Sequence, residues 1–285
     1  MLVNVKDLLE KAKSGGYAVG AFNTFNLETT RAIIDAAKEL RSPVIIQMTE
    51  KTFDFAGGRA IFHLAKSIAE FYAPEVPVGI HLDHGKSFEV VERAMDIGFT
   101  SVMYDGSRKD YADNLMMTKK IVEIAHGRGI VVQAELGNVP YIGEMQMEDL
   151  DWEKYMTDPK QAAEFVKETG IDTLAVALGN AHGFFQERSE PDYDRLMAIA
   201  ELTDIPLVLH GSSDWQREQI QEVINRGISC FNVDTALRLS FIGGLREVLQ
   251  SEDETDPRKA LGKAMEGARE AVKTKMEAFG SAGKA

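Results

Sequence analysis

The sequence is poor in cysteine and has no long apolar run. Its single cysteine, Cys230, excludes an internal disulfide bond. No stretch reaches the roughly 18 consecutive apolar residues that a membrane-spanning helix needs. Residues 1–10 carry acidic side chains and lack the basic region and apolar core of a signal peptide. These absences predict a cytoplasmic protein without a membrane partner.

Positive charge is also scarce. The chain has 32 Lys and Arg residues against 45 Asp and Glu residues, which gives a formal net charge of −13 at pH 7. A surface of this sign repels nucleic acids and anionic membranes, so neither is an expected partner. An anionic small molecule would have to be bound locally, by backbone amides or a few placed cations.

What the sequence does contain is a repeated unit: a short apolar run, a polar or glycine-containing break, and a helical pattern. The 285 residues show no low-complexity tract or shift in composition, which predicts a single domain of residues 1–285. The apolar runs do not alternate strictly, which is typical of parallel strands buried on both faces. The eight runs are residues 17–22, 43–48, 77–82, 100–104, 130–134, 172–178, 206–209 and 228–233.

Eight strands that alternate with helices predict an α/β fold, a closed (β/α)8 TIM barrel. An open doubly wound sheet usually shows G-x-G-x-x-G after its first strand, whereas this chain has G-A-F-N there. Residues from 256 onward predict a C-terminal helical extension that packs across the barrel or against a neighbouring subunit. The clearest predicted helices are residues 27–40, 88–97, 114–126, 159–169 and 217–225.

Polar side chains follow every predicted strand, at the end of the barrel where chemistry is expected. Three of the six histidines lie there, and each is followed by glycine: His84, His182 and His210. Neutral imidazoles suit zinc, and a catalytic zinc keeps one position open for substrate. The pattern therefore predicts a zinc site, with ordinary loop histidines as the alternative. The other strand ends supply Asn23, Thr49, Asp83, Asp105, Glu135, Asn180, Asn232 and Asp234.

Asp83 stands directly before one candidate ligand. Neighbouring strand residues face opposite sides, so both reach one site only if the strand ends or bends between them. A carboxylate near a metal can act as general acid and base without being a ligand. The alternative role for Asp83 is to cap the next helix. His63 and His126 fall in helical patterns and are expected to be structural, while His81 lies inside a strand, either beneath the site or in the core.

The loops after the seventh and eighth strands predict a phosphate site. Such barrels often bind phosphate there, through backbone amides and a helix N-terminus. Residues 211–213 read G-S-S, and residues 232–235 read N-V-D-T. Arg238 lies one turn into the following helix, where it can reach a second anionic group. The alternative for Ser213 and Thr235 is that they only cap helices.

Taken in order, these motifs resemble the class II, metal-dependent ketose-bisphosphate aldolases, which cleave fructose or tagatose 1,6-bisphosphate. The resemblance covers nearly the whole chain and is specific because many weak motifs keep their order and spacing. The matching segments are G-A-F-N at 20–23, S-P-V-I-I-Q at 42–47, H-L-D-H-G at 81–85, G-F-T-S-V-M-Y-D-G-S at 98–107, A-E-L-G at 134–137, T-D-P at 157–159, A-V-A-L-G-N-A-H-G at 175–183, L-V-L-H-G-S-S at 207–213, F-N-V-D-T at 231–235 and G-S-A-G-K-A at 280–285.

The resemblance implies reversible, zinc-dependent aldol cleavage of a ketose 1,6-bisphosphate, first of all fructose 1,6-bisphosphate, to dihydroxyacetone phosphate and an aldehyde phosphate. It implies that His84, His182 and His210 are the Zn²⁺ ligands, and that Asp83 removes the proton of the C4 hydroxyl. Glu144 is the candidate loop acid that protonates the enediolate. Candidate substrate- and phosphate-binding residues are Asn23, Thr49, Gly183, Gly211, Ser213, Asn232, Asp234, Thr235 and Arg238.

The resemblance also implies further ligands and partners. Asp105 and Glu135 match carboxylates that can hold a second metal position. The glycine backbone of the phosphate loops is similar to the monovalent-cation (Na⁺ or K⁺) site of the family. A homodimer or homotetramer and a place in carbohydrate metabolism, such as glycolysis, are expected.

The chain departs from the family pattern at three places. Gln186 stands where a phosphate-binding lysine is typical, and N-V-P-Y-I-G-E at 138–144 replaces a Gly-Gly-rich stretch. Ala236 matches neither the tagatose pattern N-V-A-T-E nor the fructose pattern N-I-D-T-D, although Asp234 and Arg238 follow the fructose one. Loss of a charge-assisted phosphate contact costs on the order of 1.5–3 kcal/mol. Tagatose 1,6-bisphosphate, or a ketose phosphate with a modified head group such as a sulfonate, is therefore an alternative substrate.

Three other functions compete with this one. A Schiff-base aldolase needs a lysine at a strand end, but Lys51, Lys86 and Lys109 all fall in predicted loops. A zinc hydrolase barrel usually shows H-x-H on its first strand, which here ends in Phe-Asn at 22–23. A non-catalytic sugar-phosphate sensor would not need the intact Asp83 beside three histidines.

Overall fold

The structure, a computed structural model, describes residues 1–141, 151–183, 190–251 and 253–285. Its eight strands are all parallel and pair in chain order, and the first also pairs with the last. The predicted TIM barrel is therefore confirmed. The strands are β1 (Val19–Asn23), β2 (Val44–Thr49), β3 (Val78–Gly85), β4 (Ser101–Tyr104), β5 (Val131–Leu136), β6 (Thr173–Val176), β7 (Leu207–Leu209) and β8 (Ile228–Val233).

Helices connect the strands on the outside of the barrel. Four of the five clearest predicted helices have the predicted bounds, and the fifth begins three residues earlier, at Tyr111. No described helix is long and apolar enough to cross a membrane. The helices are α1 (Val5–Gly15), α2 (Leu27–Leu40), α3 (Glu50–Thr52), α4 (Gly58–Ser67), α5 (Phe88–Ile97), α6 (Tyr111–His126), α7 (Pro159–Thr169), α8 (Tyr193–Leu202), α9 (Arg217–Asn225), α10 (Thr235–Val248) and α11 (Pro257–Ala278).

Local sequence accounts for where many helices begin and end. Before α7, the Asp158 side chain accepts a hydrogen bond from the backbone N–H of Gln161, and Pro159 occupies the first turn, where its missing N–H costs nothing. The helix ends at Gly170, whose φ of 68° lies in the left-handed region that glycine adopts without strain. Such signals act over a few residues, which is why the sequence predicts these bounds.

The interior of the barrel is apolar at one end and polar at the other. Near the N-terminal ends of the strands, inward-facing side chains such as Ile45, Val131 and Val208 pack with α1 in one buried cluster. Gly79 leaves room for α1, since a Cβ there would lie 2.6 Å from Cγ2 of Val5. This helix therefore fills the N-terminal end of the barrel, and the polar side chains collect at the C-terminal end, here called the mouth.

The C-terminal extension packs on the outside of the barrel. Helix α11 lies against α2 and α10. After it, the carbonyl of Phe279 accepts a hydrogen bond from the N–H of Ala18, and the Phe279 ring stacks on Phe231 of β8 with centroids 4.6 Å apart. Of the two predicted positions for this extension, the structure shows the one against its own barrel, across the junction of β1 and β8.

Candidate metal and catalytic site

Three histidines from distant parts of the chain meet at the mouth. His84 belongs to the end of β3, His182 lies beyond β6, and His210 follows β7. Their ring centroids are 4.7 Å (His84 to His210), 5.2 Å (His84 to His182) and 6.1 Å (His182 to His210) apart. One nitrogen of each ring lies within 4.8 Å of the others. This donor set suits a single metal ion with an open position for substrate.

A bend in β3 brings Asp83 and His84 to the same site. His84 has a φ of 51°, in the left-handed region, and the pairing of β3 with β4 shifts register between Leu82 and Gly85. Gly85 permits the bend because it has no side chain. A Cβ at this position would lie only 2.7 Å from the carbonyl oxygen of Met103. The left-handed backbone costs about 1–2 kcal/mol for a residue with a side chain. Strain of this kind concentrates at functional sites.

Asp105 orients the ring of His84. Its Oδ2 lies 2.7 Å from His84 Nδ1, and its Oδ1 accepts hydrogen bonds from Ser107 N (3.2 Å) and Oγ (2.6 Å). Burial disfavours charge on His84, but Asp83 and the hydrogen bond to Asp105 outweigh it and raise the pKa of His84 to about 10. Burial likewise opposes ionisation of Asp105, yet the His84 and Ser107 hydrogen bonds lower its pKa well below the usual range.

The buried ring of His210 presents an unused nitrogen. Its Nε2 lies 3.3 Å from Gln133 Oε1 and 3.0 Å from Asn232 Nδ2. Its Nδ1 is 3.2 Å from Glu135 Oε2, but the directions do not make a hydrogen bond, and within the described residues both atoms are buried without a hydrogen-bond partner. Each orphaned group costs about 1–3 kcal/mol. A cation bound beside them would satisfy both, so the residues present fit a metal.

His182 is held in the neutral form that binds metals. Burial lowers the pKa of His182, and the nearby His84 and His210 lower it further. His84, Asp105 and Glu135 form a second group whose ligand atoms also lie within 4.8 Å of one another. The structure thus brings together all five residues that the sequence nominated for metals.

Asp83 is a buried carboxylate surrounded by amides. Its Oδ2 accepts hydrogen bonds from Asn23 Nδ2 (2.8 Å) and Gln47 Nε2 (3.4 Å), and its Oδ1 from Asn232 Nδ2 (3.0 Å). Burial alone would raise its pKa, but His84, His210 and the Asn23 hydrogen bond lower the pKa of Asp83 below its usual value. Asp83 is therefore ionised and can take up a proton. It does not cap α5, because Ser87 does.

The loops after β7 and β8 lie beside this cluster in the barrel order. Gly211 has a φ of 60°, and a Cβ on it would lie 2.5 Å from the backbone of Ala181. Ser213 is buried and does not cap α9, whose N-cap is Gln216. Thr235 is the first residue of α10, after the N-cap Asp234. Helix capping therefore does not account for Ser213 or Thr235.

Three of the candidate substrate-binding residues have partners within the protein. Arg238 Nε pairs with Asp234 Oδ2 at 3.0 Å. Burial raises the pKa of Asp234, and Arg238 partly offsets this effect. Thr49 caps α3, since its Oγ1 accepts a hydrogen bond from Thr52 N at 3.4 Å.

The nominated Gly183 has a φ of 108°. Glu144, Gln186 and residues 142–143 lie outside the described residues.

Gln47, Gln133 and Tyr141 are residues at the site that the sequence did not nominate. Gln47 and Gln133 point into the barrel from strands whose other residues are mostly apolar, and that contrast is the signal that could have found them. Asn180, which the sequence placed at a strand end, joins two loops, since its Oδ1 accepts from Leu178 N (2.6 Å) and its Nδ2 donates to the carbonyl of His210 (2.7 Å). Tyr141, the last described residue before a gap, stacks on His182.

Of the three remaining histidines, His81 lies directly beneath the candidate ligands, and His63 and His126 lie on helices α4 and α6. His81 is buried inside β3, where its Nδ1 lies 2.8 Å from Ser101 Oγ, and burial lowers its pKa to about 4. His126 Nε2 lies 2.9 Å from the carboxylate of Asp172. His63 packs edge-on against Phe62.

A closed parallel barrel with three histidines and a buried carboxylate at its mouth defines a barrel enzyme with a candidate metal centre. Residues 3–284 match the family described as class-II fructose-bisphosphate aldolase. The chain therefore belongs to this family, whose members depend on a metal and act on phosphorylated sugars, and the protein is an aldolase, a carbon–carbon lyase.

Individual relatives agree with this assignment. The fructose-bisphosphate aldolase of Thermus caldophilus is 42% identical over 309 residues, with 100% of both chains covered. That of Geobacillus stearothermophilus is 42% identical over 286 residues, covering 100% of this chain and 99% of the relative. The crystal structure of the YdjI aldolase from Escherichia coli K12 matches with a TM-score of 0.88 at 33% identity over 100% of both chains.

Proposed function

We propose that this aldolase is zinc-dependent and reversibly cleaves a ketose 1,6-bisphosphate, with fructose 1,6-bisphosphate the preferred candidate, to dihydroxyacetone phosphate and an aldehyde phosphate. The observation that carries the proposal is the ionised Asp83 carboxylate, whose Oδ1 lies 3.8 Å from Nε2 of His84 in the three-histidine cluster. A general base is thereby set beside a Lewis-acid site.

The residues divide the reaction between them. Asp83 removes the C4 hydroxyl proton, C4 becomes the aldehyde carbon, and the electron pair of the broken C3–C4 bond passes to the ketose half. His84, His182 and His210 would hold the zinc ion, which would supply Lewis-acid stabilisation of the negative charge that develops there. Asn23, Gln47 and Asn232 hold Asp83 in place. Glu144 remains the candidate acid that returns a proton to C3.

The phosphate of the dihydroxyacetone half is proposed to bind at Gly183, Gly211 and Ser213 and at the start of α10. The first turn of that helix would contribute backbone N–H groups and the positive end of its dipole. The further candidates Asn23, Thr49, Asn232, Asp234, Thr235 and Arg238 would bind hydroxyls or the second phosphate. A monovalent cation (Na⁺ or K⁺) at the same glycine backbone, and a second metal position at Asp105 and Glu135, are part of the proposal.

Two other substrates are retained as alternatives. Tagatose 1,6-bisphosphate differs only in the configuration at C4, and a ketose phosphate with a modified head group would suit a rim with Gln186 in place of lysine. Asp234 and Arg238 follow the fructose pattern in sequence, which favours fructose 1,6-bisphosphate, and their side chains also pair with each other.

We also propose that the chain works in the cytoplasm as a homodimer or homotetramer in carbohydrate metabolism, and that residues 1–285 form one domain. Family resemblance supports the assembly. Sedimentation velocity would test it, and a monomer at micromolar concentration would contradict it.

The function is tested with a panel of ketose phosphates, each assayed for cleavage with zinc and after removal of metal by EDTA. We expect cleavage of fructose 1,6-bisphosphate that EDTA abolishes and zinc restores. Activity on other ketose phosphates alone would favour a modified head group. EDTA-resistant activity with borohydride trapping would indicate a Schiff base, and zinc binding without cleavage of any ketose phosphate would indicate a sensor.

A further inference from the structure

Tyr141 lies flat on the face of His182. The two ring centroids are 4.4 Å apart and the planes differ by only 19°. The backbone is in register as well, since Tyr141 and His182 form a parallel bridge and His182 N donates to the carbonyl of Pro140 at 2.8 Å. Ring and backbone contacts together fix Tyr141 against this one candidate ligand.

The three candidate ligands are thus oriented in different ways. His84 has the Asp105 carboxylate as a partner, and His210 has the amides of Gln133 and Asn232. His182 instead has an aromatic face. A stacked ring restricts the tilt of an imidazole plane and leaves the nitrogen lone pairs, which lie in that plane, available to a metal. Aromatic pairs of this kind contribute about 0.5–1.5 kcal/mol.

A second element also contacts the Tyr141 ring. The guanidinium carbon of Arg108, in the loop after β4, lies 5.8 Å from the ring centroid. Tyr141 therefore spans the space between the loop after β4 and the segment after β6, and with 38% of its surface exposed it forms part of the mouth wall. It belongs to residues 138–144, where this chain replaces a Gly-Gly-rich stretch, and a glycine would provide no such wall.

We propose that Tyr141 is a positioning residue, which sets the plane of His182 for a bound metal ion. The proposal rests on the metal site of the proposed function, but it concerns only His182 and the metal and is independent of which substrate is cleaved.

The positioning role is tested by measuring metal affinity, which needs no aldolase assay. Tyr141→Phe, Tyr141→Leu and Tyr141→Ala would be compared by chelator competition with Zn²⁺ and by the visible absorption of the Co²⁺ form. We expect Tyr141→Phe to match the parent. The Leu and Ala variants should bind metal about 2- to 10-fold more weakly, the range that an aromatic pair supports, with an altered Co²⁺ spectrum. Parent-like affinity and spectrum in both would overturn the positioning role.

The matched control is Tyr72→Ala, which removes a tyrosine that is 41% exposed in a segment remote from the mouth. It should leave metal affinity unchanged. An equal loss in Tyr72→Ala and Tyr141→Ala would show that the effect is only general loosening, and this too would overturn the positioning role.

The two proposals fail separately. Parent-like zinc affinity in the Leu and Ala variants overturns the positioning role alone. A parent that binds Zn²⁺ but cleaves no ketose phosphate refutes the proposed function and leaves the metal result intact.

Discussion

At the scale of single residues, the site depends on how neighbours set protonation. Asp83 is only 4% exposed, yet three amide groups donate to its two oxygens and two histidines stand close by. His182 is held neutral by burial and by its histidine neighbours, whereas His84 is charged in the absence of metal because Asp83 and Asp105 face it. One cluster thus contains a candidate base, a candidate metal ligand that is already neutral, and a candidate ligand that would first have to lose a proton.

Replacing Asp83 by asparagine should abolish most catalysis and retain the metal. The amide has nearly the same shape but cannot accept the C4 hydroxyl proton, so kcat should fall by about 10²- to 10⁴-fold. Zinc content per chain should be unchanged. Asp172→Asn is the matched control, because Asp172 is also buried but pairs with Lys6 and His126 away from the mouth. Turnover within tenfold of the parent in Asp83→Asn would rule out the assigned role.

Metal binding near neutral pH should release a proton from His84. Its pKa in the folded, metal-free protein is about 10, above the ordinary 6.5, so its contribution to folding is complete below pH 6.5 and is lost as pH rises through 10. A metal must displace this proton, so apparent affinity should rise with pH over the same window. Calorimetric titration at pH 8 in buffers of different ionisation enthalpy should report about one proton per ion from this residue. Metal binding without proton release would contradict the prediction that the metal displaces a proton from His84.

At the scale of elements, strand ends and the loops after them shape the mouth. The sequence places the third strand at residues 77–82, because the residues that follow are polar. In the structure β3 continues to Gly85, because its pairing with β4 resumes after a register shift. From the sequence one can infer only that the strand must end or bend between Asp83 and His84 if both are to reach the same site. Only the structure supplies the bend, through the left-handed His84 and the close approach of Gly85 to β4.

Gly211→Ala should damage the loop after β7 more than its backbone angle alone explains. Its φ of 60° is matched by Gly16, with φ of 65°, but a Cβ at Gly211 meets the backbone of Ala181 at 2.5 Å while Gly16 has open space. Both changes carry left-handed strain of about 1–2 kcal/mol, so Gly16→Ala is the control. Urea unfolding should show the larger loss for Gly211→Ala, with weaker competitive inhibition by inorganic phosphate. Equal losses for the two would contradict the clash.

At the scale of the whole molecule, both ends of the chain complete the barrel. Helix α1 fills the N-terminal end of the interior, and the residues after α11 bind beside β1 and β8, where the first and last strands meet. The tail is also tied to α2, since Ser281 Oγ accepts from Ser42 Oγ at 2.8 Å and Gly283 N donates to the carbonyl of Leu40. The sequence predicts the C-terminal helix, whereas in residues 1–10 it shows only acidic side chains and does not predict α1.

Phe279→Ala should destabilise the barrel as a unit. Phe279 is 2% exposed and stacks on Phe231 of β8, and loss of a buried Phe side chain costs about 3–5 kcal/mol. Phe71→Ala, at a ring that is 84% exposed, should change stability by less than about 0.5 kcal/mol. If residues 1–285 form one domain, as we propose, far-UV circular dichroism and tryptophan fluorescence should shift together in urea. A variant whose barrel unfolds at the same urea concentration as the parent, with only the C-terminal tail loosened, would contradict this expectation.

Sequence alone predicts the alternation of strands and helices, the closed barrel and the site residues His84, His182, His210 and Asp83. These depend on local signals: apolar runs, helix caps, and glycines directly after polar strand ends. Only the folded structure reveals that Asp105 orients His84, that Gln47 and Gln133 reach the site from inside the barrel, and that Tyr141 covers His182. The reason is physical: such contacts join residues tens of positions apart, and strand register and barrel closure, rather than any local pattern, bring them together.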